Sequence, residues 1–94
     1  LNWKVYIIQC SDNSLYTGIT LDVQRRFQQH ACRQGAKYFR NRQPVKVVYS
    51  ENCSNRRTAS QREICIKQMG RAEKLKLIDS TSNDPDTKVQ ENKP

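Results

Sequence analysis

The chain contains no hydrophobic run longer than the four residues Val5-Tyr6-Ile7-Ile8, no C-x-x-C pair, a single histidine and only three glycines among its 94 residues. Four apolar residues fall far short of the roughly 20 that cross a bilayer, and no basic-then-apolar opening marks a signal peptide. A soluble, cytoplasmic protein with no membrane partner is expected. Cys10, Cys32, Cys53 and Cys65 lie 22, 21 and 12 residues apart. That spacing neither chelates zinc nor builds a secreted disulfide scaffold, so they are expected to be reduced core thiols. A chain of this length buries one modest core, which predicts a single domain.

Acidic residues are scarce where basic ones gather. Residues 1 to 79 hold 15 Lys and Arg against 6 Asp and Glu, while residues 80 to 94 hold 2 against 3. Between Arg25 and Arg57 there are nine cations and one anion, Glu51. Such a patch fits a polyanion partner, because neutralising phosphates releases counterions. The competing reading is that the charge serves solubility alone.

Two short segments rich in aromatic and β-branched residues, Trp3 to Cys10 and Leu15 to Ile19, predict a hairpin across "SDNS". Its loop length matters. A two-residue Asp12-Asn13 turn puts Tyr6 and Tyr16 on opposite faces of the sheet. A three-residue Ser11-Asp12-Asn13 loop, with Asn13 left-handed, sets Ile8 against Tyr16 and brings both tyrosines to one face. The sequence permits either.

Thr20 or Asp22 can cap a helix reaching about Arg33, with Val23, Phe27 and Ala31 as its buried stripe and Arg26 and His30 as a neighbouring i, i+4 pair. Residues 36 to 44, "AKYFRNRQP", form a basic loop, and Val45 to Cys53 reads as a third strand. Thr58 to Gln61 fits a capping box opening a helix through Met69, with Ile66 and Met69 inward and Glu63 and Lys67 paired. A short helix is predicted from Arg71 to Ile78. From Ser80 the sequence is expected to be a disordered tail, leaving residues 1 to 79 as the domain. The order β-β-α-β-α-α predicts a small α/β sandwich, a three-stranded and mostly antiparallel sheet flanked by helices.

These residues resemble the GIY-YIG nuclease superfamily, especially its small stand-alone bacterial members. Lys4-Val5-Tyr6 stands where the family has Gly-Ile-Tyr, and Tyr16-Thr17-Gly18 where it has Tyr-Ile-Gly. Arg26 follows that glycine by eight residues and His30 by twelve, and Glu63 lies where the family keeps a glutamate on a later helix. The similarity spans residues 3 to about 78. Lys4 departs from the first glycine and Thr17 from the middle residue of the second triplet. Asn83, in the expected tail, is not given the role of the family's late asparagine.

The resemblance implies a Mg²⁺-dependent endonuclease, of a class that includes DNA-repair incision subunits, hydrolysing a DNA phosphodiester by one-step water attack at a site with one metal ion. Glu63 is then the metal ligand, a hard oxygen suited to Mg²⁺. Arg26 grips the scissile phosphate. Tyr6 is the base and Tyr16 orients water or phosphate, or the two exchange roles, with Arg26, Lys4 and the metal drawing the phenol pKa down. His30 bonds a tyrosine or the phosphate, and Gly18 clears space beside Tyr6 and lets backbone approach substrate. Lys37, Arg40, Arg42 and Lys67 are candidate nucleic-acid contacts, with Tyr38 and Phe39 between the loop cations for base stacking or core packing.

The partner is expected to be DNA, branched or single-stranded, or RNA, with a second protein supplying targeting. The rival readings are a non-catalytic nucleic-acid-binding module on the same fold and a protein-interaction adaptor. The adaptor predicts no salt-dependent binding of nucleic acid.

Overall fold

A computed structural model describes residues 2–32, 39 and 41–80. They run β1 (Trp3–Cys10), β2 (Leu15–Thr20), α1 (Val23–Ala31), β3 (Pro44–Cys53), α2 (Arg56–Lys67) and α3 (Arg71–Ser80), the order the sequence predicts. Lys37 and Arg40 of the basic loop, and residues 81–94 of the expected tail, lie outside the described residues. Ser80, expected to begin that tail, instead closes α3, its hydroxyl donating to the Leu77 carbonyl at 2.6 Å.

Asn13 decides the hairpin. Its φ of 70° is left-handed, a region that asparagine tolerates better than most residues bearing a side chain. The Cys10 N–H donates to the Ser14 carbonyl and the Asn13 N–H to the Cys10 carbonyl, both at 2.9 Å. The loop is therefore the three-residue one. Ile8 pairs with Tyr16 and Tyr6 with Gly18, so both tyrosines share a face.

The sheet is wholly antiparallel, in the order β2-β1-β3. Its central strand is covered on both sides, which explains why β1 reads as an apolar run rather than as an alternation. Val5 and Ile7 pack with Tyr49, Ala59 and Ile66 beneath α2 and α3. On the other face Tyr6, Ile8, Cys10 and Phe39 gather Tyr16, Val47 and the α1 residues Val23 and Phe27. Each such side chain contributes roughly 1.5–3 kcal/mol by leaving water. Tyr49 and Arg62 both hydrogen-bond Glu51, the arginine Nε at 3.2 Å from each carboxylate oxygen, tying β3 to α2.

Of the two candidate caps of α1, Asp22 is the one used, its carboxylate accepting the Arg25 N–H at 3.1 Å. Three expectations are corrected. Ala31 is exposed and His30 takes the buried place on α1, 1 % exposed, because its imidazole has a hydrogen-bond partner inside. Asn55, not Thr58, caps α2. Its side chain accepts the Thr58 N–H at 2.9 Å and the Thr58 hydroxyl accepts the Asn55 N–H at 3.2 Å, so the box begins three residues earlier than expected. All four cysteines are free, but only Cys10 is buried. Cys53 is half-buried, and Cys32 and Cys65 face solvent.

Candidate active site

The site grows from the bare backbone of Gly18. A Cβ there would stand 2.6 Å from the Tyr6 hydroxyl oxygen, 2.8 Å from Tyr6 Cζ and 3.1 Å from Tyr16 Cε2. Such separations are far inside van der Waals contact, so only glycine lets the Tyr6 ring lie across β2. The residue's value here is space, not backbone freedom. From α1, His30 Nε2 meets the Tyr6 hydroxyl at 3.0 Å. The Tyr16 and His30 rings meet edge to face at 5.2 Å, and Phe39 lies 4.3 Å from His30 and 4.8 Å from Tyr16, centroid to centroid. Phe39, 1 % exposed, is therefore a wall of the site rather than an exposed platform for bases.

Arg26 comes from α1, four residues before His30, and is half-buried. Its Nη1 donates to Gln29 Oε1 at 2.9 Å, a brace the sequence reading missed although the i, i+3 spacing makes the pair adjacent on a helix. Glu63 enters from α2 and pairs with Lys67 at 3.2 Å. Arg26 and Glu63 both act electrostatically on Tyr6 and on Tyr16, Lys67 acts on Tyr16, and Arg26 acts on His30. Tyr6, Tyr16 and His30 are thus packed together, with Arg26 and Glu63 within electrostatic reach of both phenols. Arg42 does not join them, because its Nε binds the Asp12 carboxylate at the hairpin turn, 2.7 Å away.

Among the chain's own groups the electrostatics raises the phenols rather than lowering them. Burial pushes the Tyr6 phenol well above the usual tyrosine range, with the neighbouring Tyr16 adding to the shift, and the nearby Arg26 guanidinium opposes it without winning. Tyr16 is raised by burial too, against Lys67 and Arg26. Lys4 is not among the groups that act on either phenol, and its Nζ donates to Asn52 Oδ1 at 2.8 Å. Burial, followed by the Arg26 charge, lowers His30 to about 4. At neutral pH both phenols carry their protons and the imidazole is uncharged.

The sign of the His30 shift gives a testable acid sensitivity. Below the ordinary histidine value of about 6.5 the unfolded chain binds a proton that the native chain refuses down to about 4. Stability is full above pH 6.5 and falls as the pH drops towards 4, by on the order of 3 kcal/mol at that end. Melting curves at pH 7 and pH 5 should show Tm falling by several degrees, with a smaller fall in His30→Gln. Equal falls in both proteins would assign the loss to other groups.

The model of the GIY-YIG catalytic domain matches residues 2–76. The chain belongs to the GIY-YIG catalytic domain family. A UPF0213 protein of Clostridium perfringens is 50% identical over 78 residues, covering 83% of this chain and 84% of its own length. Another, of Staphylococcus haemolyticus, is 48% identical over 75 residues, covering 80% of this chain and 92% of its own. The solution NMR structure of a UPF0213 protein of Bacillus halodurans is 35% identical and aligns with a TM-score of 0.58, covering 99% of this chain and 98% of that one. In this GIY-YIG domain the second tripeptide has a polar centre: Thr17 is buried, and its hydroxyl has no hydrogen-bond partner among the described residues.

Among the described residues no three His, Cys, Asp or Glu side chains form a metal-binding cluster, and no helix is long and apolar enough to cross a membrane. The carboxylate that acts on both tyrosines is a single hard oxygen donor. That donor set fits Mg²⁺, which keeps most of its water and takes one or two carboxylates.

Proposed function

We propose that the chain hydrolyses a phosphodiester of DNA by direct attack of water, with one Mg²⁺ held by Glu63. The observation that carries this reading is the Tyr6 hydroxyl 3.0 Å from the Nε2 of an uncharged histidine. A neutral phenol with a raised pKa cannot simply wait as phenolate. It can pass protons: Tyr6 takes a proton from water while its own moves to His30 Nε2, so no free phenolate forms. His30 is unprotonated at neutral pH, so Nε2 has a lone pair for that proton, which it holds only briefly because burial and the Arg26 charge disfavour the imidazolium. Tyr16, edge-on to His30, bounds the space where water and phosphate meet.

Arg26 balances the charge gathering on the phosphate, and the Gln29 contact holds its fork in place. A Mg²⁺ ion would add Lewis-acid charge for the leaving oxygen. With Glu63 holding a cation, Lys67 would be free of the 3.2 Å pair to contact a phosphate. The cationic surface supports a polyanionic substrate, and Lys37, Arg40 and Arg42 remain candidate contacts along its backbone.

The test is incubation of purified protein with plasmid, single-stranded and branched DNA in Mg²⁺ or in EDTA, with binding followed in parallel at low salt. Cleavage in Mg²⁺ that disappears in EDTA is the expected result. Salt-dependent binding with no cutting under any divalent ion would leave a nucleic-acid-binding module.

A further inference from the structure

A second feature shares Arg26 with the hydrolytic site but is lined by neither tyrosine. At the end of the sheet where β1 and α2 begin and β2 passes into α1, a cleft of about 390 Å³ opens. Its walls divide by chemistry. Trp3, Ile19 and Leu21 form an apolar side, and Arg25, Arg26 and Arg56 supply cations. Asp22 also faces the cleft, but its carboxylate is engaged as the cap of α1. Among the described residues neither Arg25 nor Arg56 has a carboxylate partner. The Arg56 guanidinium lies over the Trp3 ring, 5.4 Å from its centroid.

We propose that this cleft is a stacking subsite for one unpaired nucleobase, next to the phosphate that Arg26 holds; the inference rests on the nucleic-acid reading above. Arg26 is the link, because it lines the cleft and also acts on Tyr6. A phosphate on its guanidinium puts the neighbouring nucleotide at the cleft mouth. A planar cation already rests over the indole, and a nucleobase is a planar π-system that stacks in the same manner. With the base on Trp3, Arg56 is free to turn to the next phosphate. The volume lies near the lower end of the roughly 300–1,000 Å³ range of small-ligand pockets, which suits one nucleotide and not a base pair flanked by its neighbours.

The consequence is a substrate class. Within a duplex both faces of a base are already stacked, so reaching an indole costs unstacking and unpairing. A single strand, a frayed end or a branch offers the base without that cost. The subsite therefore selects nucleic acid with an unpaired nucleotide beside the bond to be cut.

Trp3 is the only tryptophan in the chain, so its emission reports on this subsite alone. In EDTA, the full chain is titrated with octathymidylate, an abasic octamer carrying the same phosphates, and a blunt duplex. Anisotropy of labelled oligomers gives binding, and tryptophan emission gives stacking. Octathymidylate is expected to quench Trp3 and to bind roughly tenfold or more tighter than the abasic octamer. Neither the abasic octamer nor the duplex should quench. Trp3→Phe should keep most of that preference, and Trp3→Ala should lose it.

Octathymidylate that binds without quenching, or equal quenching by the abasic octamer or the duplex, would overturn the subsite while nucleic-acid binding stands. Absence of any binding at low salt would remove the nucleic-acid reading and the subsite with it. Trp3 also packs against the core beneath α2 and α3. The native-chain titration therefore decides the matter even if Trp3→Ala does not fold.

Discussion

Glu63→Gln is expected to lower single-turnover cleavage in saturating Mg²⁺ by at least about a hundredfold, the scale on which removal of one transition-state electrostatic contact is felt. The fold should hardly notice. Among the described residues Glu63 forms an ion pair only with Lys67 on the same helix, and Lys67 is half in solvent, 53% exposed. An i, i+4 pair of this kind contributes about 0.3–0.5 kcal/mol, so Tm should move by no more than about 4 °C. DNA affinity should hold or rise slightly, because an anion has been removed from a surface that meets phosphates. Three readouts thus move in different directions: rate down, melting constant, binding constant or tighter. A merely structural carboxylate predicts the reverse, with melting lowered and the rate per folded molecule kept. A Glu63→Gln protein that cuts at more than about a tenth of the native rate would remove the metal from Glu63.

The expected behaviour of Glu63 could be framed from the sequence because the strand and helix signals that carry the site are local. Trp3 to Cys10 and Leu15 to Ile19 announce a hairpin by composition alone, and Asn13 is the sort of residue that fills the left-handed position observed at φ 70°. Periodicity along α1 placed Arg26 and His30 on adjoining turns. It could not place His30 in the core, since the pattern ranks Ala31 as the apolar choice and has no means of anticipating the Tyr6 hydroxyl as a buried partner. The direction of the Tyr6 shift was illegible for a related reason. Charges can be counted along a chain, but desolvation depends on Phe39, α1 and β2 closing around the ring. The Trp3 cleft is non-local throughout, assembled from the ends of four elements. In α2 the strong helix formers beyond Thr58 masked an Asn55 cap that lay in plain view. Asparagine is among the preferred N-caps, and a threonine at N3 can return its bond.

Arg26→Lys separates charge from shape at the phosphate. If the site needs only a positive charge, lysine should serve nearly as well. If it needs the planar fork held by Gln29, lysine should fail. The fork is expected to matter. Arg26→Lys should lose roughly ten- to hundredfold in kcat, matching the 1.5–3 kcal/mol of a charged hydrogen bond, and Arg26→Ala about a thousandfold, towards the range seen when an arginine is removed from a phosphoryl-transfer site. KM should change less than kcat in both, because other cations on the surface still hold the substrate. The two phenols give an independent check. Arg26 opposes the burial that raises Tyr6 and Tyr16, so removing its charge raises both further. Ultraviolet titration of the tyrosines should show that rise in Arg26→Ala and little of it in Arg26→Lys. A lysine variant with both native rate and native tyrosine titration would show that a point charge suffices, and the geometric part of the Arg26 assignment would fall.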